Sequence, residues 1–310
     1  MSTGNLAGTQ ALNSIEAGPP NRAMDLDELP LSPLRLGVRR FAQNKLAVAG
    51  AITLAVIVLA VLLAPLLTPY NPVGINLVVI NKAPSAAHWL GTDEEGRDVF
   101  SRLLYGGRVS LEVGVLSAGL AVLIGVALGG LAAMFGSFVD SAVTRLADVV
   151  LSLPTLVVVI VIAGILGPSE ETLVLAIAAF SWPTTCRIVR GVALKVREQE
   201  YVLAASSSGA SRWWIIRRHI IPAAVGQIVV TATLLVATTI LLEAGLSFLG
   251  LGVQLPTSSW GNMLTAAESL QVIQYYPWQW LPPGLAIAIT VLAVNFVGDG
   301  LRDATNPRHV

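Results

Sequence analysis

Side chains able to do chemistry gather in three stretches of this 310-residue sequence. The first is His88-Trp89-Leu90-Gly91-Thr92-Asp93-Glu94-Glu95-Gly96-Arg97-Asp98-Val99, followed by Arg102 and Arg108. Gly91 and Gly96 permit sharp turns, and Asp93 and Asp98 can accept from turn amides or pair with Arg97, Arg102 and Arg108. A divalent-cation or substrate site competes here with a hydrogen-bonded structural cap, and the local charge balance favours the cap. The second stretch, Arg187 to Pro222, carries seven basic residues, the acids Glu198 and Glu200, and apolar positions at helical spacing. Residues 198–207 read as a short helix stopped at Gly209, a residue that accepts the left-handed conformation. A second piece, Ser211 to Ile221, starts on an N-cap serine, uses Trp213, Trp214, Ile215 and Ile216 as apolar anchors, and ends at Pro222. Such a helix-turn-helix suits either a docking element for a partner or an interfacial pair facing lipid headgroups. The third feature is Glu243, an ionisable group inside an apolar run. It could line a path for cargo, or cap the backbone of the Gly245 to Gly252 region that follows.

Other chemistry is missing from the sequence. No Gly-Lys dipeptide exists, so no loop of the Gly-xxxx-Gly-Lys-Ser/Thr type can cradle nucleotide phosphates, and the dinucleotide fingerprint Gly-x-Gly-x-x-Gly is absent too. Neither a His-Glu-x-x-His helix nor a Gly-x-Ser-x-Gly elbow occurs. One cysteine, Cys186, and three scattered histidines, His88, His219 and His309, offer no zinc-type ligand set. A membrane enzyme is therefore poorly supported, and no catalytic, cofactor-binding or metal residues are expected.

The elements that must position these groups lie in a membrane. Hydrophobic residues make up 54% of the chain and charged ones only 12%, with a mean hydropathy of +0.72, which excludes a soluble globule. Nineteen Lys+Arg balance nineteen Asp+Glu, so nothing in the bulk charge attracts nucleic acid. Residues 1–33 are rich in Gly, Asn, Ser and Pro and read as a disordered tail. Leu46 to Leu67 spans about 33 Å as a helix, enough for a hydrocarbon core of about 30 Å. Five more spans are expected at Val113 to Phe135, Val149 to Leu166, Leu173 to Val189, Ala224 to Leu242 and Gly284 to Gly298. Ser181, Trp182, Pro183 and Thr184 predict a kink or break in the fourth. Tyr275, Tyr276, Trp278 and Trp280 suit a headgroup-level belt before the sixth. Gly125 and Gly129 form a small-xxx-small pair for close helix packing. Fifteen Lys+Arg fall in one alternate set of connecting segments and four in the other, which places both termini in the cytoplasm. Charges cluster at span ends rather than as midplane pairs, which disfavours an ion-driven secondary transporter.

Leu203-Ala204-Ala205, three residues, Gly209, then eleven residues before Ile221-Pro222 resembles the EAA loop of ABC importer permeases, although Leu203 stands where the pattern has its acid and Glu200 lies one turn away. Leu90-Gly91-Thr92-Asp93-Glu94-Glu95-Gly96-Arg97-Asp98 resembles the N-terminal signature of C-type permeases of dipeptide, oligopeptide and nickel ABC importers. The run Glu243 to Gly252, Ser259-Trp260-Gly261 and Asn295 to Asp303 resemble the same family. The resemblance implies an all-α integral membrane protein of six transmembrane helices with the type I ABC importer permease fold. It implies an N-terminal segment and first span at 34–67, an extracytoplasmic loop at 68–108, a five-helix core at 109–303 holding the coupling loop 187–222, and a cytoplasmic C-terminus at 304–310. Glu200, Leu203, Ala204, Ala205, Gly209, Ile221 and Pro222 would couple to the ATPase. Gly91, Thr92, Asp93, Gly96, Arg97 and Asp98 would form the extracytoplasmic cap, and Glu243 would be a candidate for the path. Implied partners are a second permease, two ATP-binding subunits that carry the ATP and Mg, an extracytoplasmic substrate-binding protein and membrane lipid of a prokaryotic inner membrane. Implied cargo is di- or oligopeptides, with nickel chelates or oligosaccharides as alternatives.

Overall fold

A computed structural model describes residues 33–305, so the tail at 1–33 and the segment at 304–310 lie almost wholly outside the described residues. In chain order the α-helices are α1 Pro33–Gln43, α2 Lys45–Leu62, α3 Ala64–Leu67, α4 Val99–Met134, α5 Ser137–Ser152, α6 Thr155–Leu166, α7 Glu170–Arg197, α8 Glu200–Ser207, α9 Arg212–Ile215, α10 Ile221–Phe248, α11 Trp260–Met263, α12 Leu270–Tyr275 and α13 Pro277–Thr305. No strand occurs among the described residues; a single bridge joins Thr92 and Asp98.

Among the described residues five helices are long and apolar enough to cross a membrane: α2, α4, α7, the continuous stretch Arg212–Phe248, and α13. The third expected span, Val149 to Leu166, falls on the end of α5 and on α6, which meet at 85°. The break falls at Leu153, extended at φ −93° and ψ 134°, because proline excludes the helical conformation from the residue before it and Pro154 follows. Of the kink or break expected at Pro183, no break occurs, and α7 runs uninterrupted through it. Pro183 is buried within an uninterrupted α7, where α4 packs flush against the Trp182 carbonyl and the Thr185 side chain.

Close approach of α4 to α7 is set by the glycine pair. A Cβ on Gly125 would sit 2.8 Å from the Trp182 carbonyl oxygen, and one on Gly129 would sit 2.6 Å from that of Cys186. The small-xxx-small pair thus serves helix packing. Gly129→Val is accordingly expected to destabilise the detergent-solubilised chain by about 1–3 kcal/mol, read as a fall in Tm, since its obstacle is backbone and cannot swing aside. Gly119→Val on the same helix, with nothing within 4 Å, should leave Tm unchanged. At the other side of the bundle, a Cβ on Gly50 would sit 2.7 Å from the Ala293 carbonyl oxygen, so this glycine allows the close packing of α2 on α13.

Candidate functional site

At one end of the bundle the segment before α4 folds into the cap that its sequence suggests. Asp93 is buried and uses both carboxylate oxygens: Oδ1 accepts from the backbone N–H groups of Glu95 and Arg97, each at 2.9 Å. Oδ2 accepts from Arg97 Nε at 2.7 Å and from Arg102 Nη1. Asp98 caps α4 by accepting from the Ser101 N–H at 2.7 Å and pairs with His88 Nδ1 at 2.9 Å. Arg108 departs from expectation: it pairs with no acid of the cap, and its guanidinium donates to the Val61 and Leu62 carbonyls at 2.8 and 2.9 Å. It satisfies the end of α2, where free carbonyls and the helix dipole favour a cation. Gly91 and Gly96 both have φ +71°, and a Cβ on either would strike backbone, at Lys82 O and Asn76 O respectively. Thr92 is fully buried, receives the Lys82 N–H at 2.8 Å, and donates to Val79 O. Every acceptor site of Asp93 is taken by the protein, and among the described residues no three His, Cys, Asp or Glu are grouped to hold a metal ion. The arrangement is a closed set of internal hydrogen bonds and ion pairs.

Burial alone would raise the Asp93 carboxyl, but Arg102 and Arg97 outweigh it and hold the group below the usual carboxylate range. Stability from a carboxyl depressed in the folded state is fully present above its ordinary value of about 3.9 and is lost as pH falls through the lower folded value. The cap is therefore expected to resist protease at neutral pH and to become cleavable between residues 68 and 98 only below about pH 4, as limited proteolysis with an acid-active protease would show.

Glu243 is fully buried on α10. Its carboxylate accepts from Ser110 Oγ of α4 at 2.9 Å and from Ser247 Oγ at 2.7 Å, and Ser110 Oγ accepts in turn from the Trp260 N–H at 3.1 Å. Trp260 Nε1 donates to Leu103 O at 2.9 Å, and Asn262 closes a capping box with Ser259. Glu243 thus ties α4, α10 and α11 together and faces no opening in this conformation of the chain. Nor does it touch the backbone after Gly245 directly; only Ser247 reaches that far, accepting weakly from the Val253 N–H at 3.4 Å.

The opposite end holds the helix-turn-helix. Gly209, at φ +88°, closes α8 with two bonds, Gly209 N–H to Ser206 O and Ala210 N–H to Ala205 O, each 3.0 Å. This is the Schellman arrangement. Ser211 caps α9 by accepting from the Trp214 N–H at 3.2 Å. Two expectations need correction. Pro222 does not end the second piece: a π-helical turn at Ile216–Ile220 links α9 to α10, so one helical rod runs from Arg212 to Phe248. The widened turn makes room for the proline ring, which in a regular helix would clash with the carbonyl four residues earlier. Of the four apolar anchors, only Ile215 and Ile216 are buried, packing with Ile220, Val202, Ala133, Ala193 and Val196. Trp213 and Trp214 stay exposed, as do Tyr201 and Leu203 of α8. Glu200, Ala204 and Gly209 are exposed, and Ala205 and Ile221 are half-buried. A surface of small and apolar side chains is thereby presented at the end of a rod that enters the bundle.

Several contributors escaped sequence reading. Ser258 accepts from Arg102 Nε at 3.1 Å, and Trp278 and Gln279 donate to Thr92 O at 3.2 and 3.1 Å, so the start of α13 clamps the cap. The aromatic cluster signalled an interface, but nothing in its spacing names Thr92 as its partner. Asp140 with Arg190 and Asp148 with Arg187 pair α5 to α7, the first with Arg190 Nη2 at 2.6 Å.

Residues 122–309 match the binding-protein-dependent transport system inner membrane component, and residues 32–84 match the N-terminal TM domain of oligopeptide transport permease C. A relative from Brucella suis is 47% identical over 276 residues, covering 89% of this chain and 91% of its own. The oligopeptide transport system permease protein OppC of Bacillus subtilis is 41% identical over 96% of this chain and 97% of its own. The dipeptide transport system permease protein DppC of Alkalihalophilus pseudofirmus is 41% identical over 90% and 91%. Among solved structures, a chain of the inward-facing MetNI methionine ABC transporter aligns with a TM-score of 0.53 at 18% identity, over 66% of this chain and 97% of that one, a likeness of fold. The all-helical bundle and these matches agree: the chain belongs to the binding-protein-dependent transport inner membrane components, the permease subunits of ABC importers.

Proposed function

We propose that this permease passes di- or oligopeptides across a prokaryotic inner membrane by alternating access, with both termini in the cytoplasm. It would pair with a second permease to enclose the path, and an extracytoplasmic binding protein would deliver cargo to the side bearing the cap. Two ATP-binding subunits, which hold the ATP and Mg, would dock on residues 198–222, using Glu200, Leu203, Ala204, Ala205 and Gly209. The cap residues Gly91, Thr92, Asp93, Gly96, Arg97 and Asp98 would keep the outer end of the core, 109–303, in shape. Glu243 would border the path only in a conformation that opens the Ser110 contact. The observation that carries the reading is the continuity of α9 with α10: the exposed Trp213 and Trp214, next to the α8 turn, stand on the same helical rod that enters the bundle. Peptide cargo rests on the named cargo of the OppC and DppC relatives.

The test is ATP-dependent uptake of short labelled peptides into proteoliposomes containing the chain with the permease, ATPases and binding protein encoded beside it. Uptake that requires ATP supports class and cargo together. ATP-dependent uptake of a nickel chelate or an oligosaccharide, with peptides refused, overturns the cargo alone. Uptake indifferent to ATP but driven by an ion gradient overturns the mechanism.

A further inference from the structure

The π-helical turn at Ile216–Ile220 does more than accommodate Pro222. In a regular α-helix, residues five apart lie about 140° apart around the axis, so Trp214 and His219 would face different directions. Here the widened turn brings their rings to 5.1 Å in an edge-on arrangement, while Tyr201 of α8 packs on His219 at 5.3 Å. His219 therefore lies between a ring of the first short helix and a ring of the second. Its Nε2 is buried with no hydrogen-bond partner among the described residues, so the ring acts there by packing. Little else holds α8. An eight-residue helix is not stable alone, and Val202 is its one buried residue.

We infer that His219 is a positioning residue for energy coupling: by packing on Tyr201 and Trp214 it fixes α8 to the rod Arg212–Phe248, so that force received on α8 turns α10. The inference rests on the docking role proposed for this loop. Without the histidine ring, α8 remains attached through Val202 and the Gly209 turn but can tilt independently of α10.

The experiment compares wild type, His219→Ala, His219→Phe, Tyr201→Ala and the double variant Tyr201→Ala/His219→Ala in the reconstituted complex, measuring ATP hydrolysed and labelled peptide taken up in the same vesicles. His219→Ala and Tyr201→Ala are each expected to lower uptake per ATP at least several-fold with ATPase subunits still bound. His219→Phe should restore the wild-type ratio, since it keeps the ring and removes the orphaned nitrogen. The double variant should be no worse than either single one, because both break the same contact. A wild-type ratio in His219→Ala overturns the inference, as does failure of His219→Phe to rescue, which would make the imidazole nitrogen the working group. Absence of ATP-dependent uptake in the wild-type complex would instead remove the importer reading beneath it. Should His219→Ala fail to assemble, Tyr201→Ala alone decides, with a wild-type ratio again overturning the inference.

Discussion

Asp93→Asn is expected to be the most damaging single substitution in the segment outside the spans, lowering stability by about 3–5 kcal/mol. The side chain keeps its shape, so the loss comes from charge. Arg97 and Arg102 are both buried, and both reach Asp93 Oδ2. Arg97 retains Glu95 at 2.8 Å, a half-buried partner, whereas Arg102 is left with Ser258 alone, a neutral acceptor for a buried cation. An amide also turns one acceptor into a donor that points at guanidinium or backbone N–H groups, which cannot accept from it. Thermal unfolding in detergent should show a clear fall in Tm, and limited proteolysis should cut between residues 68 and 98 at a pH where the wild type resists. The compensating double change Asp93→Asn/Arg102→Met should recover much of the loss, since the unpaired charge goes with the arginine. Equal Tm values for Asp93→Asn and wild type would show that the cap does not depend on this carboxylate.

What the sequence makes legible follows from the range over which each signal acts. Span number and approximate position are local matters of apolar length: α7, α10 and α13 each contain the predicted run, α4 holds all of its run but Phe135, and α2 with α3 covers Leu46 to Leu67 apart from Leu63. Turn chemistry is local as well: Gly91, Gly96 and Gly209 all adopt the positive φ that their contexts suggest. Proline is legible only halfway. Pro154 and Pro183 carry the same covalent restriction, yet Pro154 stands at a helix boundary whereas Pro183 lies buried inside an uninterrupted α7 that packs on the glycines of α4. Glu243 shows the limit for candidate sites. An acid in an apolar run announces that something must accept it, but whether water, cargo or protein does so depends on Ser110, 133 residues earlier in the chain. Arg108 is a similar case, since a cation near four acids is drawn instead to the open carbonyls ending α2. Trp213 and Trp214 misled for a different reason: apolar character predicts burial within one chain, yet both rings stay exposed in this one.

The second large effect is expected at Gly209, where substitution should separate ATP hydrolysis from transport rather than unfold the chain. A Cβ at this position meets nothing within 4 Å, so space is not the obstacle. Conformation is: at φ +88° an L-residue costs about 1–2 kcal/mol, more when β-branched. Gly209→Val should relieve that strain by abandoning the bonds to Ala205 and Ser206 and letting α8 reorient, because α8 is held by a single buried side chain and costs far less to displace than the bundle. A bias of about 1.4 kcal/mol against the docked geometry is a factor of ten in its population, so uptake should fall about tenfold or more while membrane insertion and Tm stay near wild type. Asn tolerates the left-handed region better than other non-glycine residues, so Gly209→Asn should retain most uptake and Gly209→Ala should fall between. That ordering, Asn above Ala above Val, ties the loss to backbone conformation. A series ordered by side-chain volume alone would mean that Gly209 is needed for close approach of the ATPase, and equal uptake in all three would mean that α8 is not the element through which the ATPase acts.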